Sequence, residues 1–199
     1  MNNYPTTIKN LINCFKKLPG IGEKNAERLA LSILNMNDED INLFSTSLVD
    51  MKKKVKRCSI CHYYSEEDVC AICSDKNRDA SIICVVETPK NVALFEKMGS
   101  YKGKYHVLDG LISPLDGVNP EDININSLIE RIQKEKINEV IIAVKPTIEG
   151  ETTSLYISKI LQGLDVKITK IAHGIPLGTD MEYIDSMTLE LALADRSEI

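Results

Sequence analysis

Apolar residues Ile8, Leu11, Ile12 and Phe15 recur at i, i+3, i+4 and i+7, one face of a helix. Leu18-Pro19-Gly20-Ile21-Gly22 interrupts that pattern, because Pro and paired Gly do not prolong a helix. The helical period resumes at Ala26, Leu29, Ala30, Ile33 and Leu34. It resumes again after Asp38, a candidate N-cap, with Ile41, Phe44, Leu48, Met51 and Val55 as an expected buried face. Residues 58–79 show no apolar period and too little hydrophobic surface to fold unaided. From residue 80 the pattern changes to short continuous apolar runs. Ile82 to Val86 and Val140 to Val144 read as buried strands, with a shorter strand over Tyr105 to Leu108 and a further one over Val166 to Ile171. Between them lie helical patterns: one opened by Thr88-Pro89 and closed by Gly99, with Val92, Phe95 and Met98 facing inward, one over Ile125 to Ile132, and one over 151–163. Strands alternating with helices predict a parallel sheet with right-handed crossovers. A loop-rich tail follows, with a terminal helix from about Met187.

The charge is unevenly spread. The whole chain carries −5, yet residues 1–57 hold ten basic and six acidic side chains, a net +4. The acidic total therefore does not exclude nucleic acid, although a modest basic head is also compatible with ordinary scatter. Part of the cluster Lys52, Lys53, Lys54, Lys56, Arg57 has a structural explanation, since cations near a helix C-terminus are favoured by its dipole. No apolar run approaches the ~20 residues of a membrane span, and MNNYPTTIKN lacks the basic start and apolar core of a signal peptide. A cytoplasmic protein is expected.

In that setting six cysteines point to metal or buried thiols rather than disulfides. Cys58-x-x-Cys61 and Cys70-x-x-Cys73 are two turns, each able to bring two sulfurs to one ion, and together they complete a tetrahedral shell. A closed four-cysteine site leaves no open position, so one structural Zn2+ per chain is expected, supplying folding energy that this segment lacks. Redox thiols and an iron–sulfur cluster are the competing readings. His62 is adjacent but surplus to a full shell. Cys14 and Cys84 are expected to be buried small hydrophobes.

The Pro-Gly turn between two short helices resembles the helix–hairpin–helix of proteins that bind DNA without sequence preference. Gly20 and Gly22 allow a tight turn, the next helix's N–H groups can face a phosphate, and Lys24 and Arg28 lie one helical turn apart on a solvent face. An ordinary helix–helix turn uses the same residues. Contacts of this kind reach the DNA backbone and are salt-sensitive.

Glu87 ends the first long strand, and Glu149-Gly150-Glu151 follows the strand at 140–144. Acids at the carboxyl ends of parallel strands can meet at one edge and hold Mg2+ weakly, although glutamates at a helix start are also favoured by its dipole. The layout resembles the topoisomerase–primase (Toprim) domain, in which an acid and a later Asp-x-Asp bind metal for phosphoryl chemistry. Here the Asp-x-Asp position reads Lys145-Pro146-Thr147, so both aspartates are missing and a cation replaces one.

Taken in order, these pieces make an α+β multi-module chain. A helical helix–hairpin–helix region spans 1–57, a four-cysteine zinc module 58–79, an α/β Toprim domain with a parallel sheet 80–175, and a short helical tail 176–199. On LPGIGEKNAERLA (18–30), the four cysteines, VVETP (85–89), KPTIEGE (145–151) and AHGIPLGTDMEY (172–183), the chain resembles the RecR family of bacterial recombination mediators over essentially its whole length. The resemblance implies a DNA-binding protein without enzymatic activity. It would act in DNA repair with RecO and RecF to load recombinase at gapped DNA or double-stranded/single-stranded junctions. It implies a ring-shaped homotetramer joined through N-terminal and C-terminal segments. Lys24 and Arg28 match the family's DNA-contacting basic positions, and the region of Glu87, Glu149 and Glu151 matches its surface for RecO. Lys145 departs from the Asn usual there. The competing functions are a metal-dependent Toprim nuclease or primase-like enzyme, with Tyr156 and Tyr183 as nucleophiles only by default, and a protein-interaction adaptor whose hairpin merely packs helices.

Overall fold

The computed structural model describes residues 4–172 and 174–196. His173 and the last three residues of the tail lie outside the described residues. The chain divides into two compact units, 1–55 and 56–199.

The first unit holds three helices, α1 (Thr6–Lys16), α2 (Glu23–Ile33) and α3 (Asp38–Lys54). Its core is small: Ile12, Ala26 and Ala30 are buried, with Tyr4, Ile8, Leu11, Phe15 and Ile21 packed around them. The two alanines face inward one helical turn apart, so α1 and α2 can approach closely. Tyr4 donates to Glu27 Oε1 at 2.7 Å and fastens the chain's start to α2. The cap of α3 is Asn37 rather than Asp38: Asn37 Oδ1 accepts from Asp40 N at 2.8 Å. Asp38, Glu39 and Asp40 fill its first turn and Lys52, Lys53 and Lys54 its last, both favoured by the helix dipole. The expected burial of α3 fails. Phe44 is 42% exposed, Leu48 54% and Met51 62%, because no described element of this unit covers that face. Cys14, expected to be buried, is exposed.

The second unit opens with a cysteine knuckle. A short antiparallel pair, β1 (Lys56–Arg57) and β2 (Tyr64–Ser65), leads to a single helical turn, α4 (Ala71–Ser74). The α/β part follows: β3 (Asp79–Val86), α5 (Pro89–Met98), β4 (Gly103–Val107), α6 (Ile125–Lys134), β5 (Glu139–Ala143), α7 (Ile148–Leu161) and β6 (Lys167–Lys170). The tail ends in α8 (Ser186–Ala194), capped by Asp185. The four long strands form one parallel sheet in the order β4-β3-β5-β6, with Cys84 paired to Tyr105 on one side and Ile141 on the other. The sheet is covered on both faces. Ile83, Val85, Val140 and Ile142 point into the larger core with Leu128, Ile132, Ile157 and Leu161 of α6 and α7. Cys84, Val86, Tyr105 and Val107 point the other way, toward Val92 and Phe95 of α5 and toward Tyr63 and Ile72 of the knuckle. The alternation along β3 follows from the period of two in a strand. Thr88 caps α5 in a capping box with Asn91, and Gly99 closes it in the left-handed region, as expected. Met98, however, is solvent-exposed. Helix α7 begins at Ile148, three residues earlier than expected, because the Thr147 hydroxyl accepts from Gly150 N and starts the helix there.

Candidate nucleic-acid interface, metal centre and sheet-edge acids

The hairpin is built around Gly20, which sits at φ 80°, a backbone conformation that side chains resist. Ile21 N closes the turn on Leu18 O at 3.2 Å. Gly22, extended, becomes the N-cap of α2, and no side chain caps the helix. The N–H groups of its first turn therefore face outward without a capping partner. Lys24 and Arg28 are both exposed on α2, and neither enters an ion pair among the described residues. Glu23, the acid in the first turn of α2, is paired with Lys16 at the end of α1. A tight turn, uncapped donors and two cations one helical turn apart thus coincide. Together they can hold a phosphate backbone.

The four knuckle sulfurs, of Cys58, Cys61, Cys70 and Cys73, lie within 4.8 Å of one another. Zn–S bonds of about 2.3 Å place tetrahedral sulfurs about 3.8 Å apart, and Cys61 and Cys70 lie 3.5 Å apart here. Cys70 N donates to Cys58 Sγ at 3.3 Å and Cys73 N to Cys70 Sγ at 3.4 Å, the backbone support that thiolate ligands need. Contacts among these sulfurs hold the Cys70 thiol far below its usual range and push those of Cys61 and Cys73 above theirs, so the cluster shares its protons. These residues fit one structural Zn2+. His62 is not a ligand. It bends the knuckle at φ 61° and its Nε2 lies 2.9 Å from Ser127 Oγ on α6. Cys84 is a core residue, its thiol pushed up to about 12 by burial.

The order β4-β3-β5-β6 reverses direction between β3 and β5, the place where open parallel sheets form a crevice at their carboxyl ends. Glu87 and Lys145 both stand there, and Glu87 Oε1 lies 3.2 Å from Lys145 Nζ. Gly150 lets α7 approach: a Cβ there would lie 1.9 Å from Lys145 O. Glu149 sits in the first turn of α7. Its carboxyl is lowered by a backbone N–H, by the Thr147 hydroxyl and by the Lys145 charge. Glu151 binds Lys170 at 2.8 Å. Among the described residues, the cysteine quartet is the one group of three or more His, Cys, Asp or Glu ligand atoms close enough to share an ion. The three glutamates are not brought to one point, so these residues do not fit a shared divalent cation.

Two of the buried polar residues stand on β4. Lys104 is 5% exposed within β4. His106 is fully buried, with Nε2 2.8 Å from Asn124 O and its ring edge-on to His62 at 5.2 Å. Both lie in an otherwise apolar run, where a polar residue is the available warning of a specific partner.

A helical hairpin, a four-cysteine knuckle and a Toprim-like parallel sheet in one chain define a class of multi-module Toprim proteins that carry a DNA-binding hairpin. Family models match every part: the RecR helix-hairpin-helix over 8–52, the RecR four-cysteine zinc finger domain over 55–75, the Toprim domain over 81–172 and the RecR C-terminal region over 174–197. The Recombination protein RecR of Staphylococcus aureus strains MRSA252, JH9 and USA300 is in each case 50% identical over 197 residues, 99% of this chain and 100% of the relative. The chain belongs to the RecR family. No described helix is long and apolar enough to cross a membrane.

Proposed function

We propose that this chain is a DNA-binding recombination mediator without catalysis of its own, acting with RecO and RecF to load recombinase at gapped DNA as a ring-shaped homotetramer. The observation that carries it is the uncapped start of α2 with exposed Lys24 and Arg28 beside it, in a chain of the RecR family. Backbone N–H groups at Gly22 and beyond take a phosphate, and the two cations take its neighbours. The exposed apolar face of α3 supports association between copies. Several basic heads in one ring raise the local positive potential above what −5 per chain suggests. At the sheet edge Lys145 supplies Glu87 with an internal cation, which argues against a Mg2+-dependent nuclease or primase.

The test is binding of gapped DNA by wild type and by Lys24→Ala/Arg28→Ala across a salt series. Losing two phosphate contacts lowers the slope of log affinity on log salt by about 2 on duplex DNA. Equal affinity with an equal slope removes the hairpin assignment. Mg2+-dependent cleavage abolished by Glu87→Ala would establish the enzyme reading instead.

A further inference from the structure

Lys104 lies on β4, facing the knuckle. Its ammonium donates to Ile72 O at 2.7 Å, Cys73 O at 3.1 Å and Asp75 O at 2.7 Å. An ammonium has three donors, so its hydrogen bonding is complete. Its charge is not: among the described residues no carboxylate pairs with it. A buried cation without an acid is rare, because removing it from water is costly unless a nearby anion offsets the loss. The nearby anion is the metal-bound cysteine quartet of the knuckle. Four thiolates around one Zn2+ carry a net charge of −2, and Cys73, one of the four, offers Lys104 its own carbonyl. The strand is held to the knuckle a second time, where Val107 N donates to Cys61 O at 2.9 Å.

We propose that Lys104 is the fixed counter-charge of the zinc centre, a positioning residue that ties the knuckle to the Toprim sheet and slows zinc loss. The positive charge of Lys104 offsets the net negative charge of the zinc-bound centre, while its three hydrogen bonds hold the turn that presents Cys70 and Cys73. The four zinc-bound thiolates in turn form the anion that makes a buried lysine on β4 tolerable. Metal occupancy and the order of the sheet's edge are therefore coupled through one side chain.

The test is zinc release from the purified full-length protein to an excess of chelator, followed with a colorimetric zinc indicator. Lys104→Met is expected to release zinc at least about tenfold faster than wild type, and Lys104→Arg, which restores the charge, to recover much of the difference. Ile142→Val, in the opposite core, serves as a control that lowers stability without touching the knuckle. Wild-type release from Lys104→Met overturns the proposal, as does equal acceleration in Lys104→Met and Ile142→Val variants of matched Tm. Should Lys104→Met not fold, Lys104→Arg and wild type decide. Release from Lys104→Arg must stay within a few-fold of wild type. Stripping zinc from wild type must also raise hydrogen exchange at 103–107 more than at 139–143. Uniform or unchanged exchange overturns the coupling.

Discussion

At the scale of the residue, His106 and Lys145 show how burial decides what a charge can do. Burial holds His106 down at about 3, so the ring is neutral in the folded protein, and the carbonyl of Asn124 is its hydrogen-bond partner. In the unfolded chain its value returns to about 6.5. The unfolded state thus binds one more proton between those values. The contribution is complete above pH 6.5 and is lost as pH falls toward 3. With zinc saturating, His106→Asn is expected to flatten the fall in stability between pH 6.5 and 5 by up to about 1.4 kcal/mol per pH unit. Urea unfolding at several pH values checks it, and parallel profiles for the two proteins refute it. Lys145 is half-exposed, so its ion pair with Glu87 contributes at most about 1 kcal/mol. It still occupies the carboxylate. Calorimetric titration of wild type with Mg2+ is expected to give no saturable heat, and a saturable isotherm lost in Glu87→Ala would restore the metal reading. The cysteine quartet was legible in the sequence because ligand spacing is local. Lys104 and His106 were not, because their partners come from segments 18 to 32 residues away.

At the scale of the element, turns and caps separate what the chain's pattern announced from what it hid. The break at Pro19-Gly20 was legible because Gly20 needs its left-handed φ. Gly20→Ala is expected to cost the first unit about 1–2 kcal/mol, read as a lower urea midpoint. Gly150 falls just outside the helix that the pattern predicts over 151–163 and is instead inside the first turn of α7. There the helix passes so close to Lys145 O that only a hydrogen fits. Gly150→Ala is expected to destabilise by on the order of 3 kcal/mol. It should also loosen the Glu87–Lys145 pair, which a mere loss of helix capping would leave intact. A crystal structure of the variant separates the two. The pattern of α3 announces a helix but not the exposure of its apolar face, because periodicity reveals such a face and not what covers it.

At the scale of the whole molecule, the modules named by sequence remain in order, yet the knuckle is not a separate bead. Residues 56–199 form one compact unit, with Tyr63 and Ile72 packed into the second face of the sheet. Chelation of zinc is therefore expected to disorder 56–79 and also to lower the Tm of the Toprim part, observable by calorimetry with and without chelator. An unchanged upper transition would show the knuckle to be independent. If α3 joins copies, Phe44→Ser/Leu48→Ser lowers the mass of the intact assembly in light scattering while leaving each chain folded.

The sheet order also carries a consequence for solubility. Strand β4 is one of the two outermost strands, and such a border normally exposes backbone groups that can recruit a strand from another molecule. Here the outward N–H of Val107 is taken by Cys61 O, and Lys104 stands on the same strand. The knuckle thus works as a cover on the sheet's open border, so metal-stripped protein is expected to aggregate through that strand, even under conditions where its helices persist.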